Sequence, residues 1–286
     1  MLMQAMSAIA EVGGIAGVTP AEHTLVTFLT QRAIERGAKA PIDFARSRPP
    51  VSESAGVALA CEAAIATGCR LHLRQISCLQ SVDVIRHYKS RSDGLISAET
   101  LPHNLFLNEA DLLRLGPTAK MSPPLRDSKH ADALWEGLKD GTIDIVVTDH
   151  APHLLSEKAK GADNIWDAPS GIPGLETLLP AMLERWREGD ISLPQIVRWL
   201  AHAPAELFGL AKGHLSPGAD ADFLILDPRK PGVISAEKMF TKGKYTPFDG
   251  RATAATITQV FLRGKTIFHN GGLAGPPCGR FIRPMR

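Results

Sequence analysis

Apolar residues recur along this chain with two periods, one typical of helices and one typical of strands. Helical spacing predicts helices over residues 2–13, 22–36, 52–67, 82–88, 109–115 and 130–138. Another helix is predicted to begin at Ser192, which can cap it, with Pro194 in its first turn. Runs of apolar and β-branched residues predict strands over 71–77, 95–101 and 143–148. Strands that alternate with helices indicate βα units and a parallel sheet.

The pattern changes after residue 212. A turn-rich stretch over 213–222 precedes a predicted strand at 223–226, and residues 256–268 have the pattern of a β-hairpin turning at Arg263-Gly264. The sequence therefore predicts an α/β part over residues 1–212 and a small β-module over residues 213–286.

Composition excludes several classes of protein. The chain has 286 residues, of which 44% are hydrophobic and 22% charged, as in ordinary globular domains. A net charge of +2 gives no electrostatic reason to expect nucleic acid or an anionic membrane as partner. No apolar run approaches the ~18 residues of a membrane span. The four cysteines show no CxxC spacing, and the N-terminus lacks a signal-peptide layout, so we expect free thiols and a cytoplasmic location.

The most informative motif is Thr148-Asp-His-Ala-Pro-His153, which follows the β-branched run of residues 143–147. A buried parallel strand has this appearance where it delivers functional side chains at its C-terminal end. Asp149 could there bind a metal, accept a proton, or do both. The alternative is that Asp149 only caps the turn that follows the strand.

Seven motifs in a fixed order carry a resemblance to a known family. They are Leu71-His-Leu-Arg-Gln-Ile-Ser77, Ala98-Glu-Thr-Leu-Pro-His-Asn-Leu-Phe-Leu107, Lys120-Met-Ser-Pro-Pro-Leu-Arg126, Thr148-Asp-His-Ala-Pro-His153, Asp167-Ala-Pro-Ser-Gly-Ile-Pro-Gly-Leu-Glu-Thr177, Lys212-Gly-His-Leu-Ser-Pro-Gly-Ala-Asp-Ala-Asp222 and Pro247-Phe-Asp-Gly250. Together they resemble the cyclic amidohydrolases, which include dihydroorotase, allantoinase and dihydropyrimidinase (hydantoinase).

The resemblance implies a (β/α)8 barrel of the TIM type with a small β-sandwich built from both chain ends. The family hydrolyses cyclic amides with one or two divalent metals, usually zinc, whose bound hydroxide attacks the ring carbonyl. Asp149 matches the family Asp that binds metal and moves a proton to the leaving nitrogen. We therefore expect a partial barrel, because the resemblance implies that the first three to four strands of the family's barrel are missing from this sequence.

The residues around the predicted site favour dihydroorotase over its relatives. His153 matches the dihydroorotase His that holds the substrate carboxylate, and Ser170 and Gly171 match backbone that lines its pocket. Against this, Ser122 stands where dihydroorotases of this branch usually have Asn, which is closer to allantoinases and hydantoinases. His153 could instead only hold its loop, through Glu157 or the backbone.

The metal ligands of the family are largely absent from this sequence. The family uses an HxH pair, a carboxylated Lys, two further His and the Asp, and this chain contains no HxH. The first of the two later His positions falls on Thr19 or Pro20, and the second falls on Gln75. Proline offers no ligand, and a neutral amide oxygen is a poor zinc ligand. Asp149 alone remains, so the resemblance predicts zinc while these residues argue against it.

Two classes of function follow as hypotheses. The first is a dihydroorotase-like hydrolase of a cyclic amide or ureide in pyrimidine metabolism, with a degenerate metal site, or an allantoinase- or hydantoinase-type enzyme. The second is a noncatalytic partner, for example of aspartate carbamoyltransferase, and a decaying gene fragment is a third reading. An open barrel edge predicts either a homo-oligomer or a partner subunit that covers it. His72, His103 and Arg126 are predicted to have structural roles.

Overall fold

The computed structural model describes residues 1–284, which form two compact units. The first unit comprises residues 1–175 and 237–247, and the second comprises residues 176–236 and 248–284. A parallel sheet surrounded by helices and a separate antiparallel sheet confirm the predicted α/β class. The boundary predicted after residue 212 stays a prediction.

The first unit alternates strands with helices, and each strand after the first follows at least one helix. Its strands are β1 (Ile15–Val18), β2 (Arg70–Ile76), β3 (Ile96–Thr100) and β4 (Ile145–Val146). Its helices are α1 (Leu2–Glu11), α2 (His23–Glu35), α3 (Pro41–Arg46), α4 (Pro50–Thr67), α5 (Leu79–Lys89), α6 (Pro102–Phe106), α7 (Glu109–Leu115), α8 (Ser128–Asp140) and α9 (Leu155–Ala159).

The four strands of this unit pair in parallel and in chain order, β1-β2-β3-β4. Gly17 of β1 is opposite His72 of β2, and His72 is in turn opposite Ser97 of β3. Consecutive βα units in this order are the arrangement found in a (β/α) barrel. Because the strands are parallel, all their C-terminal ends lie at one edge of the sheet.

Side-chain alternation along β2 separates the core from the functional face. Leu71 and Leu73 are buried and lie on one face, where α4 and α5 contribute buried Val57 and Ile85. Their neighbours along the strand point to the opposite face, which carries the polar residues described below. The core of this unit therefore lies between the sheet and its helices.

The second unit contains short helices and antiparallel strands. Its helices are α10 (Leu178–Arg187), α11 (Leu193–Val197), continued by a π-helical turn over Arg198–His202, and α12 (Ala203–Leu207). Its strands are β5 (Phe223–Asp227), β6 (Gly232–Val233), β7 (Ala252–Thr253), β8 (Thr256–Leu262), β9 (Lys265–His269) and β10 (Gly272–Leu273). One sheet has the order β10-β9-β8-β5, and β6 pairs with β7.

Local predictions are confirmed except at the fourth strand. The Ser192 hydroxyl accepts from the Gln195 amide as a helix cap, and the hairpin turns at Arg263-Gly264 as expected. The strand predicted over 143–148 is wrong in length, because β4 spans only Ile145–Val146. The chain turns away soon afterwards, since Asp149 has a left-handed backbone with φ of 45°. Over residues 1–284 no helix is both long and apolar enough to cross a membrane.

Candidate active site

The predicted ligand positions all lie beyond or at the C-terminal ends of the parallel strands. Pro20 follows β1, Gln75 is the penultimate residue of β2, and Asp149 follows β4. Because these ends share one edge, the fold brings together the positions that the sequence singled out. This edge is where barrel enzymes of this type build their active sites.

The backbone at two of these positions is left-handed. Gln75 has φ of 59° and lies where the pairing of β2 with β3 shifts register, and Asp149 has φ of 45°. Residues other than glycine adopt this conformation at a cost of about 1–3 kcal/mol, and such positions concentrate at functional sites. The strand ends are therefore shaped for a site, whichever side chains occupy them.

An arginine on the polar face of β2 pairs with the carboxylate that the motif predicted as metal ligand. The Arg74 guanidinium lies 4.0 Å from Asp149 Oδ1 and 3.6 Å from Glu99 Oε1. Glu99 also accepts from His72 Nε2 at 2.9 Å, and His72 Nδ1 lies 2.9 Å from Ser97 Oγ. His72 and Glu99 are buried, so His72 has the structural position that the sequence predicted. The cationic neighbour of Asp149 is thus a protein side chain.

Within residues 1–284 the side chains at the predicted ligand positions do not by themselves form a zinc site. Among residues 1–284 no group of three His, Cys, Asp or Glu side chains is arranged to hold a metal. Catalytic zinc sites take about three protein ligands, mostly imidazole, thiolate or carboxylate. Pro20 supplies no donor atom, and Gln75 supplies only an amide. Asp149 alone supplies one carboxylate, and the neighbouring Arg74 is a cation that cannot bind a metal.

His153 and the loop that contains Ser170 and Gly171 lie against each other. His153 Nε2 is 3.1 Å from the Ser170 carbonyl oxygen, and His153 Nδ1 is 3.7 Å from Glu157. Gly171 has φ of 132°, and a Cβ there would lie 2.7 Å from the Ala151 carbonyl oxygen. Only glycine fits this approach. The three predicted binding residues are therefore brought together, and their role toward a ligand stays a prediction.

Two buried lysines hold this loop from behind, and sequence reasoning missed both of them. Lys120 Nζ donates to the carbonyls of residues 165, 166 and 168. Lys158 Nζ donates to its own set of three carbonyls, those of residues 120, 169 and 171. Burial lowers the pKa of each ammonium to about 8. Lys120 lies in a motif that the sequence analysis identified, whereas nothing in the sequence pattern identified Lys158.

Arg126 has the structural role that the sequence predicted. Its guanidinium donates to Ser77 Oγ at 2.8 Å, to Glu53 Oε2 at 3.1 Å and to the Arg48 carbonyl at 2.9 Å. Glu53 is buried and also accepts from the Ser77 amide and hydroxyl. Every charged atom in this cluster has a hydrogen-bond partner.

A pocket of about 250 Å³ opens beside Pro20. Ser122, the predicted binding residue of the Pro-Pro-Leu-Arg motif, also lines it, together with Thr19, His23 and Arg48. The strand-end position that the family gives to a metal-binding His therefore forms part of a cavity wall in this chain.

Comparison with known proteins agrees with the geometry. A model of the amidohydrolase family matches residues 6–267. The dihydroorotase of Geobacillus kaustophilus is 41% identical over 227 residues, covering 79% of this chain and 52% of that protein. The dihydroorotase of Methanosarcina acetivorans is 36% identical over 288 residues, covering 98% of this chain and 60% of that protein.

Solved structures of related enzymes superpose closely on this chain. Dihydropyrimidinase from Brevibacillus agri has a TM-score of 0.92 and 29% identity, covering 96% of this chain and 61% of that one. L-Hydantoinase from Arthrobacter aurescens has the same TM-score with 31% identity. This chain spans about half to three fifths of the length of these relatives. Its fold, motif order and sequence similarity together establish that the chain belongs to the amidohydrolase family.

Proposed function

We propose that this chain is a dihydroorotase-like member of the family that binds a cyclic ureide and does not itself hydrolyse it with zinc. The observation that carries the proposal is the Arg74 guanidinium beside Asp149, together with Pro20 and Gln75 at the other ligand positions. The Arg74 guanidinium, which lies near both Glu99 and Asp149, reduces the attraction of Asp149 for a divalent cation. Family membership alone implies metal dependence, and these side chains argue against it here.

Binding of the ring has its own support. The His153 ring contacts the loop that contains Ser170 and Gly171. Two lysines also donate hydrogen bonds to carbonyls of this loop and stabilise its conformation. Backbone that is fixed in advance binds a small ring at little cost in conformational entropy. A ring amide and its carbonyl can pair with backbone groups and with an imidazole, so a cyclic ureide is the ligand class that suits these donors and acceptors.

The experiment measures zinc content, turnover and binding on the same purified chain. We expect no zinc retained after equilibrium dialysis, no hydrolysis of dihydroorotate with added zinc, and measurable dihydroorotate binding by titration calorimetry. Asp149→Asn is the control, because a chain without metal chemistry has no activity for this change to remove. Zinc-dependent turnover in the wild type that Asp149→Asn abolishes would overturn the proposal.

Hydantoinase-type rings are the alternative ligands, and Ser122 and the solved hydantoinase relatives favour them. Calorimetry with dihydrouracil and hydantoin beside dihydroorotate separates these possibilities. Tighter binding of the uncharged rings would assign the chain to the hydantoinase side of the family.

A structural partner role is the second candidate function, and the open edges of the parallel sheet favour it. β1 and β4 each pair with only one strand of that sheet within the described chain. Unpaired strand edges are positions at which another polypeptide can add. If the candidate is right, the chain co-elutes with aspartate carbamoyltransferase in size-exclusion chromatography, and separate peaks would reject it. A homo-oligomer and a cytoplasmic location stay predictions.

A further inference from the structure

The pocket beside Pro20 contains a cation without a carboxylate partner. Within residues 1–284 no Asp or Glu oxygen lies in ion-pair distance of the Arg48 guanidinium, which donates from Nη1 to Ser47 Oγ at 2.7 Å. The Arg48 guanidinium also stacks on the Phe44 ring at 3.9 Å. Burial lowers its pKa. A desolvated cation that faces a cavity without a counter-ion is a characteristic of anion sites.

The other charged groups of the pocket do not neutralise Arg48. Arg126 and Glu53 both line the pocket, but they pair with each other at 3.1 Å and their charges cancel. His23 adds a second positive charge only when it is protonated. The net charge on the pocket wall is therefore at least +1.

Suitable donors surround the guanidinium. Thr19 and Ser122 line the pocket with exposed hydroxyl groups. Pro20, Pro123 and Val26 supply apolar wall against which a small ring can pack. A guanidinium held by stacking and by one hydrogen bond presents a planar fork of donors, which matches the two oxygens of a carboxylate.

We propose that this pocket binds the carboxylate of a small organic acid through the Arg48 guanidinium, assisted by the Thr19 and Ser122 hydroxyls. A single uncompensated positive charge suits a monoanionic carboxylate better than a dianionic phosphate. The choice of a cyclic ureide acid as test ligand rests on the proposed function, and the anion site itself does not. The edge of the sheet thus attracts an anion at Arg48, close to Pro20, where relatives of this family bind a cation.

The test uses two rings that differ only in the carboxylate. Dihydroorotate carries it and dihydrouracil lacks it, so the ratio of their dissociation constants measures recognition of that group. We expect the wild type to bind dihydroorotate at least ~10-fold more tightly, and Arg48→Met to bring the ratio to about 1. Arg48→Lys keeps the charge without the fork and should give an intermediate ratio.

Arg32→Met is the matched control, because Arg32 also stacks on an aromatic ring, that of Phe28 at 5.4 Å, but lies outside the pocket. It should leave the ratio unchanged. If Arg48→Met keeps the wild-type ratio while His153→Asn abolishes it, the carboxylate is held at His153 and the inference is wrong. Circular dichroism establishes whether each variant is folded. If Arg48→Met does not fold, the comparison of Arg48→Lys with the wild type tests the inference instead.

A separate arm distinguishes failure of the anion site from failure of the proposed function. Acetate, at the ionic strength of a sodium chloride reference, should raise the unfolding midpoint of the wild type and leave that of Arg48→Met and Arg48→Lys less affected. This result without ring binding would reject the cyclic ureide and keep the anion site. An equal response to acetate in the wild type and both Arg48 variants would reject the anion site.

Discussion

Individual side chains at the strand ends decide what this member of the family can do. Gln75 and Asp149 have the left-handed backbone of a functional site, yet only Asp149 carries a side chain suited to a metal. Arg74 adds a positive charge beside that carboxylate, and Arg48 adds another in the pocket by Pro20. Glu99 and Asp149 offset the charge of Arg74, so it is the pocket with Arg48, rather than the whole edge, that favours an anion.

A buried histidine gives a prediction for the pH dependence of stability. Burial lowers the pKa of His103 to about 3, below its ordinary value of 6.5. Between these pH values His103 binds a proton in the unfolded chain but not in the folded chain. The contribution of neutral His103 to the free energy of unfolding is therefore fully present above pH 6.5 and decreases as the pH falls. The wild type should lose about 1.4 kcal/mol per pH unit relative to His103→Leu below pH 6.5.

The measurement is urea unfolding of both proteins from pH 8 to pH 4.5. The difference between their unfolding free energies should be constant from pH 7 to pH 8, which serves as the internal control. A constant difference across the whole range would contradict the prediction, because it would show that His103 takes up its proton equally readily in the folded and unfolded chain.

The sequence could predict part of the site at this scale and not the rest. The end of a β-branched run located Asp149, and the resemblance to the family located Gln75, Pro20 and His153. Alternation along a strand shows which face Arg74 occupies but not which carboxylates of neighbouring strands lie within its reach. Arg48 could not be predicted at all, because a missing counter-ion is a property of contacts between distant segments.

At the scale of elements, the conformation of the loop over residues 165–171 depends on hydrogen bonds from side chains in other segments of the chain. Lys120 and Lys158 between them donate hydrogen bonds to five of its carbonyls, and His153 contacts a sixth. A loop with almost no regular secondary structure thus has its buried backbone groups satisfied. The predicted binding backbone owes its conformation to these contacts.

Lys158→Met tests this arrangement. The change keeps most of the side-chain volume and removes the donor, leaving buried carbonyls unsatisfied at a cost of about 2–3 kcal/mol in unfolding free energy. Amide hydrogen exchange should also become faster within residues 165–171 than elsewhere in the chain. Lys160→Met, at an exposed position two residues away, should change neither quantity. If amide exchange within residues 165–171 is no faster in Lys158→Met than in Lys160→Met, the Lys158 hydrogen bonds do not stabilise the loop and the prediction is wrong.

Regular elements were easier to predict than this loop. Periodicity located α2, α7, α8 and the β8–β9 hairpin to within a few residues, because each depends on its own local pattern. β4 was predicted too long, since β-branched residues at 147 and 148 continue the pattern after the chain has begun to turn at Asp149. The lysine contacts join residues up to 48 positions apart, and periodicity carries no information about them.

At the scale of the whole molecule, buried charge joins distant parts of the first unit. The Arg126 guanidinium contacts residues 48, 53 and 77, which belong to segments far apart in sequence. Removing one partner of such a cluster leaves the other charge buried without compensation. The cluster therefore makes the folding of these segments interdependent.

Arg126→Met should lower the free energy of unfolding by about 3–5 kcal/mol, because Glu53 keeps a buried charge that no cation balances. Arg114→Met is the control, since Arg114 forms an exposed ion pair with Asp111 and should cost less than ~1 kcal/mol. Chemical unfolding followed by circular dichroism measures both. An equal decrease in the free energy of unfolding in the two variants would mean that the buried cluster stabilises the fold no more than an exposed ion pair does.

The chain order of the parallel strands bears on how the protein is made. Strands β2, β3 and β4 each pair with the strand that precedes them in sequence, so that partner has already been synthesised when each of them leaves the ribosome. The sheet can then grow by one strand at a time in the direction of translation. At every stage the newest strand is one exposed edge of the growing sheet, so a pause during synthesis prolongs the exposure of an edge that can pair with another chain.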